Sequence, residues 1–283
     1  MSGVIAAAVV PHVPTLGRAE ITPEFQHTLV QGERTLGERL RALAPDLWVI
    51  ASTHWVCTFN WFATCQALHE GTCVADEATD LISGARYRYR GDPEFARALV
   101  DEWKRQQVPA EHNESPHYEW DYGTFVPLSH LDPQAQMPVV GLPVVLMADH
   151  AECLRAGAAI HATAQRLGQR VVFLASSALS HALVRGRHHL PTPERIEADR
   201  KLMEQLERGA VEEITSGFGE YSRVAVAEMG GRALATMLGV LRAMSQDAPA
   251  LAGRRFGDYA QSSGSGNASV VVTSVETLPQ LAA

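Results

Sequence analysis

The chain has 283 residues, 46% of them hydrophobic and 20% charged, with a formal net charge of −8. That is enough for one large α/β domain and too apolar for disorder, and an acidic balance leaves no basic face for a nucleic-acid backbone. No apolar run approaches the roughly 20 residues that span a bilayer, and Met1-Ser2-Gly3-Val4 carries no positive segment ahead of its apolar stretch, which predicts no signal peptide and a cytoplasmic setting.

Val4 to Val10 is a continuous apolar run ending at Pro11, the pattern of a buried strand. Thr22-Pro23-Glu24 reads as a cap, a first-turn proline and an acidic first turn, and predicts a helix to about Leu43 with Phe25, Leu29, Leu36 and Leu40 on its apolar stripe. Leu47 to Ala51 is a second buried strand, with Thr53-His54 just past its end. Residues 61–75 read as strand and turn, and Arg86 to Arg90 alternates Arg and Tyr at strand period. A helix is predicted from Asp92-Pro93-Glu94 to about Gln107, and irregular chain over residues 108–127. Further along come a strand between Met137 and Met147, a helix from Asp149 to Leu167 and a buried strand at Val171–Ala175. Ser176-Ser177 then opens a loop that carries His181. The remaining predictions are a helix from Thr192-Pro193-Glu194 to about Arg208, another from near Glu228 to Met244, a loop at Ser262 to Gly266 and a last strand at Ser269–Ser274. Strands alternating with helices predict an α/β fold, a single domain with a mostly parallel central sheet flanked by helices.

Four cysteines (Cys57, Cys65, Cys73 and Cys153) form no C-x-x-C pair and are expected as free thiols. Histidine is the conspicuous count, at 12. His12, His54 and His181 each follow a predicted strand, where an α/β sheet binds its ligands. Glu228 is an isolated acid in an apolar segment, and an unpaired buried carboxylate is costly unless something compensates it. Two imidazoles and one carboxylate on one face of a metal ion leave open positions, as in non-haem Fe(II) oxygenases. The bland alternative has His12 and His54 as loop histidines bonded to backbone and Glu228 as an acid at a helix N-terminus. His188-His189, after Arg185 and Arg187, reads as a solvated basic turn. His27, His69, His117, His130, His150 and His161 show no partner pattern.

The motifs Pro11-His12-Val13-Pro14, Thr53-His54-Trp55, His112-Asn113, Asp121 to Pro127, Leu174-Ala175-Ser176 through His181, and Glu228 occur in the order seen in class III extradiol dioxygenases. The chain resembles that family, the superfamily of the protocatechuate 4,5-dioxygenase catalytic subunit. Within it, the pattern is closest to the 3,4-dihydroxyphenylacetate 2,3-dioxygenase branch. The likeness runs from His12 to the Ser262–Gly266 loop, so it implies one catalytic domain over residues 1–283. It implies Fe(II) held by His12, His54 and Glu228, with His181 as the acid/base. Tyr122 falls where relatives carry a tyrosine or a histidine near the substrate, and His112 is a candidate substrate contact. The implied substrates are a catechol-type ring and O2, and the implied product is a muconic semialdehyde. The implied assembly is a homo-oligomer, or a hetero-oligomer with a related subunit. Three alternatives stay open: a 2-aminophenol or hydroxypyridone ring-cleaving enzyme on the same scaffold, a zinc hydrolase, and a non-catalytic homologue.

Overall fold

The computed structural model describes residues 2–82, 84–248 and 250–282. β1 (Gly3–Val10), α1 (His27–Ala42) and β2 (Leu47–Cys57) come first, followed by β3 (Trp61–Thr64), β4 (Leu68–Thr72), α2 (Thr79–Ile82) and β5 (Arg86–Arg90). Then come α3 (Pro93–Arg105), β6 (Ala110–Asn113), α4 (Tyr122–Leu131), β7 (Val139–Val145), α5 (His150–Leu167) and β8 (Arg170–Ser176). The chain closes with α6 (Pro193–Glu207), α7 (Val211–Ala225), α8 (Arg232–Asp247), β9 (Leu251–Ser262), β10 (Ser265–Ser274) and α9 (Leu278–Ala282).

Six strands form one sheet in the order β7-β2-β8-β1-β10-β9. The first four are mutually parallel, and the β9–β10 hairpin adds antiparallel to β1. Alternate residues of each parallel strand feed opposite cores, as the two-residue pleat requires. Ala7, Val9, Val49, Ala51, Val171 and Phe173 face α3, α5 and α8. Ala6, Ala8, Val10, Trp48, Ile50, Val172 and Leu174 face α1 and α4. On the first side α5 and α8 pack backbone to backbone: a Cβ at Gly157 would lie 2.0 Å from the Thr236 carbonyl oxygen, and one at Gly239 2.1 Å from that of Leu154. The fold class is therefore as predicted, and all four cysteines are free thiols.

Several elements differ from the sequence reading. Residues 108–127 are not irregular: β6 pairs with β3, and α4 begins at Tyr122 under the Asp121 cap. α4 contains Pro127 and is buried along most of its length, so packing rather than propensity holds it. The last strand starts at Ser265, and residues 262–266 form the tip of the β9–β10 hairpin. Neither β9 nor α7 was expected from the pattern. Glu228 does not open a helix. It starts a 3-10 turn (Glu228–Gly231) in which Met229, Gly230 and Gly231 all take positive φ, and α8 begins only at Arg232. α1 likewise starts at His27, after a separate 3-10 turn at Glu24–Gln26. Among the described residues, no helix is long and apolar enough to cross a membrane.

Candidate metal centre and active site

The strand order puts β2, β8 and β1 side by side. Their carboxyl ends therefore lie within a few strand spacings of one another, each about 4.8 Å. His12 leaves β1 through Pro11. His54 lies inside β2 rather than beyond it, in a bulge: Ser52 pairs with Pro143 and Val56 with Val144, so Thr53, His54 and Trp55 are extra residues pushed out of the ladder. Glu228 arrives beneath them from the 3-10 turn and is 2% exposed.

Three imidazoles converge on one carboxylate oxygen. Glu228 Oε1 lies 3.2 Å from His12 Nε2, 3.7 Å from His54 Nε2 and 3.6 Å from His181 Nε2. Ligand atoms of His12, His54 and Glu228 all lie within 4.8 Å of one another, and His181, though 3.6 Å from the carboxylate, falls outside that set. The second oxygen, Oε2, accepts the Ala178 backbone N–H at 2.6 Å. Burial alone would raise the Glu228 carboxyl. The charge and hydrogen bond of His12, with His181 and His54 behind them, outweigh it and hold the group well below the usual carboxylate range. Burial lowers the His181 imidazole, with His12 adding to the effect and Glu228 opposing it, which favours neutral His181 near pH 7.

The hydrogen-bond chain behind His12 fixes its tautomer. Ser176 Oγ donates its one proton to the Gly123 carbonyl at 2.5 Å, so toward His12 Nδ1, 3.0 Å away, it can only accept. Nδ1 therefore carries a proton, and in neutral His12 the lone pair sits on Nε2, aimed at the Glu228 oxygen. Two lone pairs facing each other at 3.2 Å repel unless a cation lies between them. A proton or a metal ion would satisfy the arrangement, and the donor set of two imidazoles and a carboxylate suits a divalent transition metal with open positions.

Tyr122 packs over His54 at 3.9 Å between ring centroids and is 5.8 Å from His12. The Asp121 carboxylate holds it there by capping α4 at Thr124 N and accepting from Ser52 Oγ at 2.6 Å, next to the bulge. A Cβ on Gly123 would lie 2.4 Å from Ser52 Oγ and 3.3 Å from His54 Cδ2, so the helix can approach the site only with glycine there.

These residues line a pocket of about 440 Å³. His12, His54, Tyr122 and His181 form its floor; Val13, Leu81 and Leu183 give it apolar wall, and Ser263, Ser265 and Asn267 come from the β9–β10 hairpin. Among the described residues, its only fully charged wall residues are Asp80 and Arg187. Arg187 is fastened through its carbonyl to Ser263 N, and Val184 N–H donates to the Ser263 carbonyl at 2.7 Å, so the loop is tied to the hairpin tip. Five of the six residues singled out from sequence thus meet in one place. His112 does not line the pocket: it lies on β6 opposite Ala63, with Nε2 buried and without a hydrogen-bond partner. Ser176, Asp121 and the hairpin loop fall within the motifs of the family resemblance, but nothing in the sequence assigns each its own role, and Arg187 reads only as part of a basic turn.

A family model described as the catalytic LigB subunit of aromatic ring-opening dioxygenase matches residues 6–272. Among curated proteins, the chain is 25% identical over 189 residues to 3,4-dihydroxyphenylacetate 2,3-dioxygenase of Escherichia coli, covering 65% of this chain and 68% of that one. It is 26% identical over 257 residues to the 2-aminophenol 1,6-dioxygenase beta subunit of a Pseudomonas species (83% and 84% covered), and 24% identical over 217 residues to the alpha subunit (74% and 79%). The crystal structure of an uncharacterized Escherichia coli K12 protein superposes with a TM-score of 0.66 at 17% identity, covering 94% of this chain and 99% of that one, a likeness of fold. With the family model spanning nearly the whole chain, this protein belongs to the LigB family and is an extradiol ring-cleavage dioxygenase.

Proposed function

We propose that His12, His54 and Glu228 hold one Fe(II) and that the enzyme opens a catechol-type ring bearing a short acidic arm, of the 3,4-dihydroxyphenylacetate kind, to a muconic semialdehyde. The observation that carries this reading is the fixed His12 tautomer, which turns Nε2 into a bare donor against the Glu228 carboxylate and so calls for a cation at that point. Bound there, ferrous iron would supply a Lewis-acidic redox centre through which an aromatic diol and O2 exchange electrons.

The chain's own residues do the rest. His181, held neutral by burial, takes a proton from a ring hydroxyl at Nε2 and returns it as the ring opens. Tyr122 limits rotation of the His54 ring by stacking on it and hydrogen-bonds the substrate through its hydroxyl. Val13, Leu81 and Leu183 keep water from the ring, and Arg187, the only lysine or arginine among the described residues of the pocket wall, pairs with the acidic arm.

A second reading, cleavage of a 2-aminophenol-type ring, is favoured by the longer match to the 2-aminophenol 1,6-dioxygenase beta subunit. Likeness to both subunits of that enzyme supports assembly as a homo-oligomer or with a related subunit, which light scattering on the purified chain would test. The deciding experiment for function is anaerobic loading with Fe(II), then exposure to catechols and aminophenols in air. A yellow ring-fission product with equimolar O2 uptake is the expected result. Bound iron without turnover of any ring would favour a non-catalytic homologue, and zinc-dependent hydrolysis a hydrolase.

A further inference from the structure

Asp199 on α6 has no solvent exposure, yet ring cleavage assigns it nothing. Its carboxylate is surrounded by hydroxyls: Ser180 Oγ donates at 2.6 Å and Tyr259 Oη at 2.7 Å to Oδ2, and Tyr221 Oη at 3.1 Å to Oδ1. The three donors come from three further parts of the chain: Tyr221 is on α7, Tyr259 on β9 and Ser180 in the segment after β8. Space for the cage is kept by Gly266, whose Cβ would lie 1.9 Å from Tyr259 Oη and 2.3 Å from Asp199 Oδ2. Ser180 joins the cage to the site. Its neighbour His181 is the acid/base, Ala178 two residues earlier binds Glu228, and Ser180 itself bridges Ala227, the residue before Glu228.

We propose that Asp199 is a positioning residue: through Ser180 it locks residues 178–181 so that the Ala178 N–H and the His181 imidazole are both aimed at the Glu228 carboxylate. The proposal rests on the ring-cleavage reading for the role of His181, but the link to Glu228 can be read without turnover. A buried carboxylate holding three hydroxyls is preorganised in a way that a single serine–backbone bond is not.

Ser180→Ala removes the hydroxyl link and leaves Asp199 with the two tyrosines and the Ser180 backbone N–H. Asp199→Ala removes the cage, and Asp199→Asn rebuilds it without charge, its oxygen accepting from Ser180 and Tyr259 and its amide nitrogen donating to a turned Tyr221 hydroxyl. Ser180→Ala and Asp199→Ala are each expected to lower kcat about tenfold or more with a smaller change in KM, and to weaken Fe(II) binding to the apoprotein about tenfold. Asp199→Asn is expected to restore both to within about threefold of wild type. Where Asp199→Ala does not fold, Ser180→Ala decides. Where wild type opens no ring, the Fe(II) titration decides, so failure of the ring-cleavage reading stays separate. Wild-type kcat and Fe(II) affinity in Ser180→Ala, or a loss in Asp199→Ala confined to melting temperature, would overturn the proposal.

Discussion

A single hydroxyl proton decides the state of His12. Because Ser176 gives its proton to Gly123, the His12 Nδ1–H is committed and the Nε2 lone pair is left facing Glu228, where the proposed Fe(II) would bind. Ser176→Ala removes that constraint while deleting one small oxygen. Its Fe(II) affinity is predicted to fall 10- to 100-fold, about the usual cost of losing a partner that orients a ligand, with a melting temperature close to wild type. Isothermal titration of the apoprotein measures the first and calorimetry the second. Glu33 poses the opposite case. It is fully buried in α1, and neither carboxylate oxygen has a hydrogen-bond partner. Burial pushes its carboxyl well above the usual 4.5, so the folded chain keeps the proton after the unfolded chain has lost it. Its stability contribution is therefore full below pH 4.5 and is lost as pH rises toward the raised folded value. Glu33→Gln is predicted to melt higher than wild type at pH 8, with the gap closing toward pH 4.5; a gap that does not change with pH would contradict this. The convergent side chains were legible at this scale, since His12, His54, His181 and Glu228 are chemically distinctive at strand ends or in apolar surroundings. Ser176, Arg187 and Asp199 were not, because what each does depends on groups brought close only by the fold.

Elements were legible where burial writes a continuous apolar run. β1, β7 and β8 lie buried in the sheet and were predicted within a few residues, as was the start of β2, which runs on through its bulge to Cys57 rather than ending at Ala51. β9 was missed because its buried positions, Leu251, Phe256, Ala260 and Ser262, are mostly too widely spaced to alternate, and it carries Arg254, Arg255, Asp258 and Gln261 between them. α7 was missed because Gly217, Gly219 and several serines and threonines weaken its helical signal. The bulge in β2 leaves no pattern either, yet it is what aims His54 at Glu228. The end of α7 carries a further irregularity: Val226 takes φ 50° as the helix cap, and its carbonyl accepts the His181 N–H at 3.2 Å. A β-branched residue is strained in that left-handed conformation. Asparagine tolerates it, and the valine side chain is 45% exposed, so little burial is given up. Val226→Asn is predicted to stabilise the protein by about 0.5–1 kcal/mol in urea unfolding without loss of turnover; a destabilised variant would show that the left-handed cap carries no strain.

At the scale of the whole molecule, the order β2-β8-β1 accounts for the site. His12, His54 and His181 converge because three parallel strands lie side by side, Glu228 reaches them from its 3-10 turn, and the β9–β10 hairpin closes the pocket by pairing with β1. The mostly parallel sheet was legible from alternating strands and helices; the hairpin that shapes the substrate pocket was not. Arg187 over that pocket makes a prediction about ring choice. Arg187→Met should raise KM about tenfold for catechols with a carboxylate arm and leave unsubstituted catechol unchanged, and equal effects on both would remove the acidic-arm reading. The account as a whole depends on one ion shared by two imidazoles and a carboxylate. Anaerobic Fe(II) titration of wild type beside His12→Ala, His54→Ala and Glu228→Gln tests it most directly. One tightly bound iron per chain in wild type, and none at comparable affinity in any of the three variants, is the predicted result; undiminished binding in any one of them would contradict it.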